Sequence, residues 1–478
     1  MSRPNILLIT TDQQRFDTIA ALGNKHIYTP HLNWLVDEGI TFTRCYADCP
    51  ICMPSRATIM TGKMGTTLGL VENKDEIMPM AAHDTLPAIL TRNGYQTRAQ
   101  GKMHFSPMRA NYGFEHMELP MDYYIERNRD IKGGIPKAHG VGENELEPVI
   151  STVDELNSLT YWTVRRSIDF IETRDDTRPF FLWTSFTKPH PPLDPCANYW
   201  ALYRNNEIPP PIWGGWSEQV ENMPQGYLKP TYSLNSAYRM TKEQLQESKR
   251  AYYACITQID YNLGLLFGRM REMGLLDNTW IIFTSDHGDM MGDHHMGAKS
   301  MFFEGSAHIP MLIRPPQAAW EINPLAGEKC DALVNLTDVL PTILSAAGIS
   351  LPEDIDGIDM IDLMRNSTED RIFYGNFNHT HFAVIENEYK YLWTSLGGDE
   401  LFFNLENDPY EQHNLVVLPE QQQRLNGMRE KLIAYLEKNE PSLVKDGELV
   451  HQPAPKGPMD IAKWPGFHST SANSDVLH

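Results

Sequence analysis

The sequence predicts an α/β fold: a large, mostly parallel sheet sandwiched by helices, with a smaller C-terminal α+β unit carrying an antiparallel sheet. Three observations point to it. Apolar, β-rich runs alternate with helical patterns up to about residue 350, as a parallel sheet covered on both faces requires. Each of those runs ends in polar residues able to do chemistry. Beyond about residue 370 the pattern changes to short alternating runs separated by turns.

Taken in order, "NILLIT" (5–10) is the first strand. It passes straight into Asp12 with no small-residue cleavage site, so it reads as a core strand rather than a secretory signal. "YQTRAQ" (95–100) is a weaker strand, and "PFFLWTSF" (179–186) and "TWIIFTS" (279–285) are strong ones. Helical patterns lie between them at "TLPAILTRNGY" (85–95) and "YWTVRRSIDFIETR" (161–174). A longer one, 247–274, keeps apolar residues near helical spacing and ends in Gly274. Residues 106–150 and 195–245, rich in proline and aromatics, read as long excursions over the sheet edge.

"RIFYGNF", "HFAVIEN", "YKYLWTS" and "LFFNLEN" supply the antiparallel strands, and a helix follows at about 418–438. The expected division is a main domain at 1–368, the smaller unit at 369–450 and a Pro-, Ser- and Gly-rich tail at 451–478. Trp464 and Phe467 in that tail have two readings: docking over the site or onto a neighbouring subunit, and a frayed end.

A chain of 478 residues exceeds what one core usually organises. With 41% hydrophobic and 22% charged residues it has the composition of a globular protein. The net charge of −21 argues against nucleic acid or an anionic membrane as partner, since both need a basic face. No stretch approaches the roughly 18–20 apolar residues of a membrane span, and the expected location is the cytoplasm. Six sparse cysteines suit a reducing compartment. Cys49 and Cys52 form C-x-x-C, but the Pro-Ser-Arg that follows fits a thioredoxin-like redox pair poorly.

"ICMPSRATIMTG" (51–62) is the most informative stretch. Pro54 suits the first turn of a helix and Gly62 its end. Cys52 then lies at the helix N-terminus, with Arg56 one turn later on nearly the same face. That setting either lowers a thiol's pKa or holds an anion. On an acidic protein an anion site has to be built locally.

Ligands in an open parallel sheet bind at the carboxyl ends of the strands. Here those ends carry Asp12-Gln13, Gly101-Lys102-Met103-His104, Lys188-Pro189-His190 and Asp286-His287-Gly288-Asp289. Oxygen ligands from Asp12, Gln13 and Asp286 suit a hard dication such as calcium. A nitrogen from His287 would move the balance towards manganese or magnesium. Lys102, His104, His190 and Lys299, with Arg56, supply the positive charge an anion site requires. His294 and His295 in "GDHHMG" stay open between ligand, substrate contact and bystander.

"CMPSRATIMTG" (52–62) resembles the signature of the type I sulfatases, members of the alkaline phosphatase superfamily, in which the cysteine of C-x-P-x-R is oxidised to formylglycine. "NILLITTDQ", "GKMH", "KPHPP", "SDHGD", "GAKSMFFEGS", "TDVLPTILSAAG" and "LFFNLENDPYEQHNL" follow the family's order, so the resemblance spans about 5 to 415. It implies an alkaline phosphatase-like fold, a sulfatase activity, one divalent metal and a formylglycine-generating maturation enzyme as partner. It also implies that Cys52 is the nucleophile's precursor and a metal ligand with Asp12, Gln13, Asp286 and His287. One hydroxyl of its hydrate attacks sulfur, with Asp286 as the base. Lys299 and His190 neutralise the sulfate and protonate the leaving alcohol, and Lys102 and Arg56 stabilise the hydrate. His104 takes the second hydroxyl's proton as sulfate is expelled.

Two departures narrow the resemblance. Many sulfatases have Asp-Asp in place of Asp12-Gln13 and Asp-Asn in place of Asp286-His287. Both pairs here look more like the choline sulfatase and phosphonate monoester hydrolase branches. Calcium remains the first expectation, with manganese or magnesium as alternatives. A phosphonate monoester or phosphodiester hydrolase on the same scaffold is the competing activity, while Ser55 leans towards sulfatase. The expected substrate is a small sulfated carbohydrate or an aryl sulfate. Trp200, Trp213 and Trp216 are candidates to stack on its ring, with packing inside the loops an equal alternative, and a homo-oligomer is left open.

Overall fold

In a computed structural model of the chain, nine strands form one sheet whose central five are continuous apolar runs or end in the residues singled out above. The structure describes residues 3–453 apart from 75, 131–138, 140, 143, 233–236, 317–325 and 367–370. The strands are β1 (Asn5–Asp12), β2 (Ile40–Tyr46), β3 (Gln96–Gly101), β4 (His116–Glu118), β5 (Phe180–Pro189), β6 (Thr279–Ser285), β7 (His308–Ile309), β8 (Met311–Arg314) and β9 (Lys329–Asn335). Their order is β4-β3-β5-β1-β6-β8-β2, with β7 and β9 also pairing with β2. Only β7 and β8 run antiparallel to their neighbours. The expected α/β class with a mostly parallel sheet therefore holds.

Alternation along β1 shows why the sheet needs two helical layers. Ile6 and Leu8 face one side, Leu7 and Ile9 the other, and all four are buried. The first side packs on helices Cys52–Thr61, Leu86–Arg92 and Val339–Ala346. The second packs on helices Pro30–Glu38, Leu159–Thr173 and Lys242–Glu272. The last of these begins at a capping box between Thr241 and Gln244. No helix among the described residues is long and apolar enough to cross a membrane.

The C-terminal strands β10 (Phe373–Phe377), β11 (His381–Glu386), β12 (Tyr389–Thr394) and β13 (Glu400–Asn404) form an antiparallel sheet in chain order. Helix Gln422–Asn439 covers one face with Leu425, Met428, Leu432 and Leu436. The opposite face, through Ala383, Ile385, Leu392 and Phe403, packs on Met290, Phe302 and Phe303. The small sheet is thus a wall behind the 290–303 segment. The tail residues Trp464 and Phe467 lie outside the described residues.

A buried charge cluster fastens that wall. Lys390 on β12 has no exposed surface and donates to the Phe302 carbonyl at 2.9 Å and to Glu411 Oε1 at 2.9 Å. It also meets Glu304 Oε1 at 2.5 Å, and His308 Nδ1 and Tyr46 Oη bond the same carboxylate. Removing one partner of such a buried set leaves an uncompensated charge, which costs about 3–5 kcal/mol. Lys390→Met is expected to lower unfolding stability by about that amount, read from urea denaturation. Burial pushes the Glu411 carboxyl up to about 7, so adding Glu411→Gln is expected to return part of the loss. An unchanged midpoint in Lys390→Met would show that the cluster does not hold the sheet.

Candidate active site

The carboxyl ends of β1, β2, β3, β5 and β6 lie on one edge of the sheet, because these strands are parallel. β1 delivers Asp12, β6 delivers Asp286 and His287, and β5 runs into Lys188-Pro189-His190. β3 ends at Gly101, whose φ of +95° turns the chain into Lys102. A Cβ there would meet the Ser185 carbonyl oxygen at 2.0 Å, so only glycine fits. The Lys102 N–H then donates to that carbonyl at 2.9 Å. Beyond β2 the chain enters helix Cys52–Thr61, which ends at Gly62 in the left-handed region with its N–H on the Thr58 carbonyl.

All ten residues of this helix are buried, Arg56 included. The Arg56 guanidinium reaches two carboxylates at once. Its Nη2 lies 3.3 Å from Asp12 Oδ2 and 2.9 Å from Asp286 Oδ2, and Nε donates to the latter oxygen at 3.1 Å. Nη1 donates to Ser185 Oγ at 2.9 Å and to the Lys102 carbonyl at 2.5 Å. Lys102 Nζ adds an ion pair to Asp12 Oδ2 at 2.6 Å.

Asp12, Cys52, Asp286 and His287 each turn one donor atom into a common point, all within 4.8 Å of one another and all buried. Cys52 Sγ is 3.2 Å from His287 Nε2 and 4.0 Å from Asp12 Oδ1. His287 Nδ1–H donates to the Gly288 carbonyl at 2.9 Å, which leaves the Nε2 lone pair facing the other donors. Burial opposes a charge on His287, yet Asp286 and Cys52 pull its pKa up. The cluster could hold a metal ion, and two carboxylates with an imidazole fit a dication.

Gln13 is held at both ends of its amide. Its amide oxygen accepts from Lys299 Nζ at 2.7 Å and its amide nitrogen donates to Asp289 Oδ2. Lys299 Nζ also lies 2.8 Å from His190 Nε2. His190 Nδ1 bonds the Pro191 carbonyl at 2.7 Å, so the ring donates there and accepts from the ammonium at Nε2. His104, two residues beyond Lys102, has a φ of 52°, and its Nδ1 is buried with no hydrogen-bond partner among the described residues.

Charge sorts these groups. Burial pushes the Asp12 carboxyl up, but Lys102, His190, Arg56 and His287 outweigh it and hold Asp12 well below the usual carboxylate range. For Asp286 burial and the Asp12 charge prevail over His287 and Arg56, and its pKa rises. Burial and Asp12 oppose ionisation of the Cys52 thiol, yet Lys299, His287 and Lys102 bring it well below an ordinary thiol. Burial, Lys299 and Lys102 hold His190 well below its usual value, so its imidazole is neutral at pH 7.

The two histidines left open in the sequence stand apart from this cluster. His294 Nδ1 bonds Ser217 Oγ at 2.7 Å, and His295 stacks on Trp213 with ring centres 3.9 Å apart. Trp216 stacks on Phe303 and donates to the Glu411 carbonyl. The Trp213 and Trp216 rings are therefore engaged by the protein itself, and Trp200 packs partly buried against a core cluster. One residue the sequence did not single out does belong here. Ser185, near the end of β5, accepts from Arg56 and Thr10, while Asp289, from the polar end of β6, engages Gln13. A polar residue closing an otherwise apolar strand was the available signal for Ser185.

With this geometry in place, comparisons with known proteins agree on one family. A family model described as Sulfatase matches residues 4–349. A second, described as N-sulphoglucosamine sulphohydrolase, C-terminal, matches residues 292–438. An arylsulfatase of Clostridium perfringens is 34% identical over 94% of this chain and 97% of its own length. A choline-sulfatase of Rhizobium meliloti is 30% identical, covering 87% of this chain and 83% of its own. The phosphonate monoester hydrolase of Agrobacterium radiobacter shares the fold at a TM-score of 0.80, with 23% identity over 94% of this chain and 100% of that one.

A dication that binds the folded state alone stabilises it, by about 2.7 kcal/mol at a hundred times its Kd. Adding calcium, manganese or magnesium is expected to raise the Tm, and His287→Ala to abolish most of that shift. Gln13→Met is expected to keep it. A Tm shift lost in Gln13→Met and kept in His287→Ala would reverse the assignment of donors.

Proposed function

The chain belongs to the sulfatase family, and from that premise we propose that it hydrolyses a small sulfuric ester, an aryl sulfate or a sulfated carbohydrate, with residue 52 as the nucleophile. In this reading a maturation enzyme converts Cys52 to formylglycine, and a hydroxyl of the hydrate attacks sulfur. The observation that carries it is the position of Cys52 Sγ, buried among Asp12, Asp286 and His287 one helical turn from Arg56. A dication, if bound, would be held by these four residues and would supply Lewis-acid positive charge to the reaction.

The chain's own residues do the rest. Asp286 takes the proton from the attacking hydroxyl, a role supported by the rise in its pKa through burial and Asp12. Arg56 and Lys102 orient Asp12 and keep it ionised. Lys299 meets the sulfate and gives a proton to His190 Nε2 at 2.8 Å, and His190 passes it on to the leaving alcohol's oxygen, ending neutral again. His104 accepts the proton of the second hydroxyl as sulfate is expelled and the aldehyde re-forms. Its unpartnered Nδ1 supports this role. The second hydroxyl gives the sulfate ester of residue 52 an elimination route that a serine ester lacks.

The names of two relatives, arylsulfatase and choline-sulfatase, support a small sulfate ester as substrate. The fold shared with a phosphonate monoester hydrolase sets the competing activity. The test compares kcat/KM for 4-nitrophenyl sulfate, 4-nitrophenyl phenylphosphonate and bis(4-nitrophenyl) phosphate. Sulfate is expected to be preferred, and Cys52→Ala to lose at least roughly 10³-fold of the rate. Faster turnover of either phosphorus ester would replace the sulfatase reading with the phosphorus one.

A further inference from the structure

One buried carboxylate at the site has no task in the reaction above. Asp289 has no exposed surface, lies three residues beyond Asp286 and is outside the four cation donors. Its Oδ1 accepts from the N–H groups of Met291 at 2.8 Å and Ala298 at 3.0 Å. Both of those residues sit in the left-handed region, with φ of 48° and 61°, where side chains other than glycine are strained. A single oxygen thus pins both ends of the turn that leads into Lys299. On its far side Arg15 Nη1 donates to the Asp289 carbonyl at 3.1 Å and the Met290 carbonyl at 3.3 Å.

The other carboxylate oxygen, Oδ2, accepts from Gln13 Nε2, and Gln13 Oε1 accepts from Lys299 Nζ at 2.7 Å. A carboxylate only accepts and an ammonium only donates, so the amide between them has a single workable orientation. The Gln13 backbone is fixed independently of its side chain. Its φ is 75°, its N–H donates to Asp286 Oδ1 at 3.1 Å and its carbonyl accepts from Tyr252 Oη at 2.6 Å. Only the amide plane is left to be set, and Asp289 sets it.

We propose that Asp289 is a positioning residue for Lys299: through Gln13 it holds an acceptor against the ammonium, and through the Met291 and Ala298 amides it holds the backbone that carries it. The inference rests on the reading of Lys299 as the group that meets the transferring sulfate. It also gives the glutamine next to Asp12 a role other than metal binding. An aspartate at position 13 would face Asp289 with a second carboxylate, whereas an amide joins a carboxylate to an ammonium.

The test is a double-mutant cycle on kcat/KM for 4-nitrophenyl sulfate, with the thermal midpoint of each variant. Asp289→Asn keeps an oxygen for the two backbone amides but turns an N–H₂ towards the Gln13 amide. Gln13→Glu sets two carboxylates side by side. Each single change is expected to lower kcat/KM about tenfold or more, tenfold being about 1.4 kcal/mol. In the double variant the polarity is reversed. The new amide at 289 donates to the new carboxylate at 13, whose other oxygen again accepts from Lys299. Recovery to within about threefold of wild type is expected, a coupling that a residue merely needed for folding would not show.

A double variant as slow as the product of the singles overturns the proposal, as does Asp289→Asn with wild-type kcat/KM. Should Asp289→Asn fail to fold, Gln13→Met decides, because it leaves both backbone contacts of Asp289 intact. A tenfold loss at an unchanged midpoint supports the proposal, and wild-type kcat/KM overturns it. A wild-type enzyme that turns over phosphorus esters but no sulfate ester fails the proposed function instead, and the same cycle is then read on the phosphorus ester.

Discussion

A guanidinium with no exposed surface joins the ends of two strands that are hundreds of residues apart in sequence. Asp12 closes β1 and Asp286 closes β6, and their carboxylates would repel each other across neighbouring strands. Each alone would cost several kcal/mol to bury. Arg56 meets both with one planar fork and uses its remaining donors on Ser185 Oγ and the Lys102 carbonyl. A lysine offers no such fixed geometry. Because Arg56 lies one turn beyond Cys52, anchoring it also aims the helix N-terminus at the cation cluster. The position of residue 52 follows from this buried ion set, and Arg56 joins Lys102 in keeping Asp12 ionised, while burial and the Asp12 charge raise the pKa of Asp286 against it.

The second support comes from the far end of the chain. Between Met291 and Ser300, five residues other than glycine have positive φ: Met291, His294, His295, Ala298 and Ser300. Strain of about 1–3 kcal/mol at each such position persists only where the surroundings fix the backbone. Asp293 accepts from Arg15 and from the Ile212 N–H, His294 bonds Ser217, and Asp289 takes the amides of Met291 and Ala298. Behind them stands the C-terminal sheet, with Phe302 and Phe303 in its core cluster and Lys390 bonded to the Phe302 carbonyl. The small sheet thus holds the segment that presents Lys299.

Much of this was legible in the sequence because it is encoded locally. The apolar runs of β1, β5 and β6, the Pro54 and Gly62 bounds of the Cys52 helix and the polar strand ends are all short-range signals. So are the alternating strands after residue 372. β2 was missed because "ITFTRCY" carries two threonines and an arginine, and β8 because four residues are too few to show a period. Gln13 reads as a ligand from the sequence because it adjoins Asp12. Its actual partners, Asp289 and Lys299, are more than 270 residues away, and they alone decide where its amide points. Trp213 and Trp216 show the same dependence on distant partners: whether an aromatic in a loop packs on the protein is settled by the histidine or phenylalanine it stacks on.

The central claim is that residue 52 performs the chemistry after its thiol becomes an aldehyde. It is tested most directly by peptide mass spectrometry of residue 52 across preparations that differ in maturation. The initial rate on an aryl sulfate is measured on the same samples. Activity rising in proportion to the aldehyde fraction, and vanishing with it, is the predicted result. Full activity from an unconverted Cys52, or full conversion with no turnover of any sulfate or phosphorus ester, would contradict it.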